Sequence, residues 1–163
     1  MLPEELSNGI CSLKPEVDRL AFVCEMGIGF DGEVKDSQVY EAVINSHARV
    51  TYGEAQSVIN GEETHKKKEV QENILRAADL AKILMTKRYR EGSLDLDVPE
   101  TEVVVDEAGN TVDVIKSERV FAHKLIEEMM LIANVSVARM IQNKEQPALF
   151  RVHPSPELSL IHI

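Results

Sequence analysis

The sequence predicts an α+β fold, a mixed or antiparallel sheet with long packed helices, and three observations carry that prediction. Residues 69–91 and 117–141 are two long segments in which apolar residues recur at spacings of three and four, the period of a helix. Residues 20–50 instead alternate about Asp31-Gly32, a pair that favours a tight hairpin turn. Residues 102–105 and 111–115 read as a second hairpin across Asp106–Asn110.

Taken in order, residues 1–19 mix short apolar anchors with turn chemistry at Leu2-Pro3, Ser7-Asn8-Gly9 and Lys14-Pro15, with one helical turn expected at Pro3–Leu6. Leu20–Ile28 reads as a strand. It runs into Gly27-Ile28-Gly29-Phe30-Asp31-Gly32, which matches the glycine pattern of a dinucleotide-binding turn. That chemistry needs a helix directly after the glycines, so that amide dipoles meet a pyrophosphate. Residues 33–50 alternate as a strand instead, and a hairpin is the stronger reading. On this second strand Tyr40, Ala42, Ile44, Ala48 and Val50 point one way and Glu41, Asn45, His47 and Arg49 the other. The polar side is either solvated or a groove lined by Asn45, His47 and Arg49.

Thr51-Tyr52-Gly53-Glu54 has the form of a capping box opening a short helix that ends at Asn60-Gly61. Tyr52 then stands at the first helical position, on a rigid corner. Core packing is the ordinary role of such a ring, and stacking on a base or sugar is the other. The helix over 69–91 gathers Lys82, Lys87, Arg88 and Arg90 toward its C-terminus, where they suit the helix dipole and form a positive cluster available for a phosphate backbone. Ser93–Asp97 alternates, placing Asp95 and Asp97 on one face, with no further oxygen ligands nearby to complete a magnesium site.

The segment from Ser117 to Ile141 organises the whole chain. Ser117 is the expected N-cap and Glu118 the first-turn carboxylate. Ala122, Leu125, Ile126, Met129, Ala133, Val137 and Met140 form its stripe. Beyond Met129 it is apolar on nearly every side, which suggests a helix packed between layers. Glu127 and Glu128 therefore sit where the helix is about to be buried, and a carboxylate there needs a partner or a function. Pro147–His153 is read as a last short strand.

Composition narrows the rest. The 163 residues make about one domain, with 44% hydrophobic and 28% charged residues, ordinary for a globular chain. No apolar run is long enough to cross a bilayer, and the opening MLPEELSNGI carries no basic region or apolar signal core, so a cytoplasmic protein without membrane partners is expected. Cys11 and Cys24 have neither a CxxC spacing nor a nearby histidine, so buried free thiols are expected rather than zinc or a disulfide. The net charge of −10 opposes broad nucleic-acid binding, though not a narrow basic channel.

Six stretches point further: Met1–Leu13 (MLPEELSNGICSL), Val17–Leu20 (VDRL), Ser46–Tyr52 (SHARVTY), Gly92–Asp97 (GSLDLD), Ala122–Glu128 (AHKLIEE) and Pro147–His153 (PALFRVH). Together they resemble, in order and spacing, the central catalytic RNB domain of the ribonuclease II / ribonuclease R family, closest to its ribonuclease R branch. The resemblance implies a processive 3'→5' exoribonuclease that releases nucleoside monophosphates from single-stranded RNA, using magnesium held by an aspartate cluster. By motif, Tyr52 falls on the tyrosine that packs on the RNA 3' end and Glu127 on the glutamate that contacts the terminal nucleotide. Leu96 falls at or next to a phenylalanine that clamps the last base, where leucine offers no ring. Arg49 and His47 join them as candidate substrate-binding residues.

No motif like DARDFDDA, the family's metal-binding cluster, occurs in the chain. The chain is accordingly read as a single partial RNB domain over residues 1–163, an internal piece whose magnesium ligands and catalytic residues lie elsewhere in a monomeric parent. Residues 159–163 depart from the family pattern and read as a junction. The alternative is a non-catalytic RNA-binding or scaffold protein with an RNB-like shell.

Overall fold

The structure is a computed structural model that describes residues 2–94, 101–106, 109–116, 119–145 and 147–152. The chain opens with a π-helical turn at Glu5–Ile10, later and wider than the single turn expected at Pro3–Leu6. Arg19 holds the segment after it, its Nε donating to the Ser12 carbonyl at 2.9 Å.

Strand β1 (Asp18–Ile28) and strand β2 (Val34–Asn45) pair antiparallel, with Leu20 opposite Val43 and Phe22 opposite Glu41. The connection is a three-residue loop rather than the two-residue turn that Asp31-Gly32 suggests. Gly32 N–H donates to the Gly29 carbonyl, Gly29 N–H to the Glu33 carbonyl, and Gly32 takes φ 78°. A turn followed by one left-handed residue is the usual way to close such a loop. Because a strand comes next, the glycine pattern serves the hairpin and not a dinucleotide.

β2 stops at Asn45, so His47 and Arg49 do not stand on a strand face as the alternation predicts. The reason is competition for backbone groups. Ser46 bridges to Pro15, and its carbonyl accepts from Glu16 N–H at 2.7 Å. The His47 carbonyl accepts from Lys67 Nζ at 2.7 Å. Asn45 is likewise removed from any groove, since its Nδ2 donates across the hairpin to Asp18 Oδ1 at 2.7 Å.

Helix α1 (Tyr52–Asn60) has the predicted capping box at Thr51 and closes on Gly61 at φ 75°. Helix α2 (Lys68–Arg90) is next, its end closed by Gly92 N–H donating to the Tyr89 carbonyl. Strands β3 (Thr101–Val105) and β4 (Thr111–Lys116) form the second, separate antiparallel hairpin. Helix α3 (Phe121–Asn143) completes the fold.

α3 begins at Phe121, not after Ser117. β4 uses its backbone through Lys116 to pair with Thr101, and Val120 is still extended at φ −78°, ψ 164°. With no side-chain N-cap of its own, α3 borrows one: Ala122 N–H donates to Gln56 Oε1 on α1 at 3.0 Å. This meets one of the amides that every helix start leaves open.

α2 and α3 cross on small side chains. Ala78, Ala81 and Leu125 form the buried cluster, with Ile59, Ala77, Phe121 and Met129 packed against it. Alanine lets the two backbones approach closely. The expectation that α3 lies between layers is corrected: Ile126, Met130, Leu131 and Val135 are exposed, because α1 and α2 pack mainly on one of its sides. Residues 147–152 form no strand, and Leu149 and Val152 are exposed; among the described residues nothing pairs with their backbone. Cys11 and Cys24 are free thiols, but neither is buried as expected: Cys11 is exposed and Cys24 half-buried.

Candidate functional site

The site is built where the start of α1 meets α3. Thr51 and Glu54 lock that corner reciprocally. Thr51 Oγ1 accepts from Glu54 N–H at 3.3 Å, and Glu54 Oε2 accepts from Thr51 N–H at 2.7 Å. The Thr51 backbone and hydroxyl donors hold the Glu54 carboxyl below its usual range, helped by the charges of His65 and Arg49. Tyr52 is the next residue, so its backbone direction is set by the cap.

The Tyr52 ring does not enter the core, being 47% exposed. It stacks on His123, the third residue of α3, with centroids 4.0 Å apart and planes inclined by 25°. Tyr52 also lines a groove of about 540 Å³ together with His47, Val50, Asn73, Ala122 and Ile126 among others. His123 Nδ1 is buried and has no hydrogen-bond partner among the described residues.

Glu127 lies one helical turn beyond His123 and therefore on the same side of α3. It is half-buried and paired with Arg119 Nη2. His123 and Glu127 lie one turn apart on α3 with Tyr52 stacked on the first, and Arg119, two residues ahead of the helix, reaches Glu127 from outside it.

The neighbouring carboxylate has a different fate. Glu128 is 3% exposed. Its Oε1 accepts from Arg88 Nε at 3.0 Å and Nη2 at 2.5 Å, while Arg88 Nη1 donates to Ser93 Oγ at 2.7 Å. Hydrogen bonding to Glu128 raises the Arg88 guanidinium above its ordinary range. Glu128 is thus structural, and of the two glutamates only Glu127 is presented outward.

The structure brings two of the sequence candidates, Tyr52 and His47, to one groove; Glu127 does not line it and stands one helical turn from His123, the ring on which Tyr52 stacks. Arg49 is exposed near the α1 cap, where its charge acts on Glu54, and it does not line the groove. Leu96 lies outside the described residues, as do Asp95 and Asp97. The positive cluster of α2 is largely spent on carboxylates. Lys82 pairs with Asp79, Lys87 with Glu91 and Glu33, and Arg88 with Glu128.

Two site residues escaped sequence reasoning, His123 and Arg119. The four-residue spacing of His123 to Glu127 was the available signal, whereas the reach of Arg119 to Glu127 from ahead of the helix depends on where α3 starts. Among the described residues no group of three or more His, Cys, Asp and Glu side chains converges to hold a metal ion. The described residues therefore do not form a magnesium site. No helix among them is long and apolar enough to cross a membrane.

Comparison with known proteins gives the family of the chain. The RNB domain family model matches residues 1–162. The chain is 43% identical over 159 residues to the ribonuclease R of Aquifex aeolicus, covering 96% of this chain and 23% of that protein. It is 37% identical over 163 residues to the ribonuclease R of Escherichia coli, covering 99% of this chain and 20% of that protein. Its fold matches Mycoplasma genitalium RNase R, solved in complex with ribose-methylated single-stranded RNA, at a TM-score of 0.91 and 33% identity, over 99% of this chain and 25% of that one. The chain thus spans about a quarter or less of the length of these relatives.

Proposed function

Because the chain belongs to the RNB domain family, we propose that it forms the substrate wall of a 3'→5' exoribonuclease, with Tyr52 and Glu127 facing a single strand of RNA. The observation that carries this is the half-exposed Tyr52 ring, clamped at a helix corner and flat on His123. A base stacks on an exposed aromatic face whatever its sequence, which suits an enzyme that must accept every nucleotide in turn. Glu127 offers acceptor oxygens to sugar hydroxyls one helical turn away.

His47 lines the same groove and makes a third contact, and we assign Arg49 and Leu96 to the approach of the strand. The parent enzyme is a monomer of the cytoplasm that hydrolyses RNA to nucleoside monophosphates. We place its magnesium on carboxylates outside this chain, which supplies positioning: it binds and orients the 3' end while the attacking water is activated elsewhere.

The test is direct. Purified chain mixed with end-labelled single-stranded RNA and magnesium is expected to bind the RNA and leave its length unchanged. A ladder of shortened products would overturn the division of labour. If the parent protein with this segment intact binds RNA and never shortens it, the non-catalytic scaffold reading replaces the enzyme.

A further inference from the structure

We propose that Arg119 is the phosphate-contacting residue of this site, its guanidinium bridging the Glu127 carboxylate and a phosphodiester of the bound strand. The inference rests on the reading that RNA passes Tyr52 and Glu127, and it supplies what that reading lacks. A bare carboxylate repels a phosphodiester, and the chain as a whole carries a net charge of −10. Something local has to reverse the sign.

The geometry points to Arg119. Arg119 lies two residues ahead of Phe121, the first residue of α3, so it meets Glu127 only by reaching past the first turn of the helix. They do meet, which brings the guanidinium to Glu127, one helical turn beyond the His123 that stacks with Tyr52. The Arg119 side chain is 41% exposed. Only its Nη2 is engaged among the described residues, leaving Nε and Nη1 with no protein acceptor there. Arginine presents several donors in a planar fork, so one edge can hold a carboxylate while another takes a phosphate oxygen. Among the cations gathered at the end of α2, Lys82, Lys87 and Arg88 face Asp79, Glu91 and Glu128, and neither they nor Arg90 line the groove at Tyr52.

The experiment measures binding of a short fluorescent single-stranded oligoadenylate to the chain by anisotropy across a salt series. The variants are R119Q, R119M, R119K and Y52A, with helical circular dichroism confirming the fold of each. R119M keeps the aliphatic stem along α3 should glutamine unsettle it. Neutralising Arg119 is expected to weaken binding about fivefold at low salt. It should also flatten the slope of log affinity against log salt by about 0.7, the loss of one phosphate contact on a single strand. R119K restores the slope. Y52A weakens binding with the slope unchanged, because stacking releases no counterions. If Y52A loses affinity while R119Q and R119M keep the wild-type slope, the Arg119 assignment fails and the RNA site stands. If the wild-type chain does not bind, or Y52A binds as well as wild type, the RNA reading fails and takes this inference with it.

Discussion

The ring of Tyr52 lies against the imidazole of His123, two side chains from different helices stacked at 4.0 Å. The capping box sets the backbone beneath Tyr52, and the amide of Ala122, next to His123, is tied back to α1 through Gln56. Both partners of the stack are thus anchored through α1, and the tyrosine, which also lines the groove, is held already oriented. Little conformational entropy remains to be lost when a base arrives.

Removing the platform should remove the base. Tyr52→Ala is expected to weaken single-stranded RNA binding by about 1–3 kcal/mol, the range for one stacked base, while Tyr52→Phe retains most of the affinity. Anisotropy titration measures both. In the intact parent enzyme the same alanine should change the length of the final product and leave metal binding intact.

His123 supports Tyr52 from behind, so its substitutions should separate shape from polarity. His123→Ala frees the tyrosine and is expected to reduce RNA affinity toward that of Tyr52→Ala. His123→Phe keeps a ring to stack on and removes a buried nitrogen that has no partner among the described residues. It should preserve binding and raise stability by about 1 kcal/mol, read from a denaturant melt.

The Arg88–Glu128 pair joins α2 to α3 and tests the buried carboxylate. Arg88→Ala leaves Glu128 buried without its cation and should cost about 3 kcal/mol of unfolding free energy. The double substitution Arg88→Met with Glu128→Met removes both charges and should recover most of that loss. Urea denaturation of the three proteins provides the comparison.

Glu54 gives the α1 corner a pH dependence. Its folded-state pKa is lowered from 4.5 by the donors of Thr51, so the unfolded chain takes up the proton first as pH falls. The stabilisation is complete above the unfolded value and is lost as pH drops through the folded one. The thermal midpoint of the wild type should therefore exceed that of Glu54→Gln at about pH 6 and approach it near about pH 3. A gap that persists in acid would contradict the assignment.

Much of this was legible in the residue order because it depends on local chemistry. The box at Thr51–Glu54, the stop at Gly61, the span of α2 and the hairpin of β3 and β4 need only neighbours a few positions away, and all four are present. Expectation failed where a distant partner intervened. Ser46 turned aside to Pro15, ending β2 before His47 and Arg49. β4 ran on to Lys116 and delayed α3 to Phe121. The alternation of PALFRVH found no strand to pair with among the described residues.

The two glutamates show the division most clearly. Their place on α3, and the candidacy of Tyr52, come from the sequence alone, since helical period and capping chemistry are properties of short segments. Which carboxylate is structural and which faces outward was decided by Arg88 and Arg119, one reaching across from α2 and the other along α3. Ionic pairing acts through space, between residues whose separation in the chain carries no information until the helices have packed.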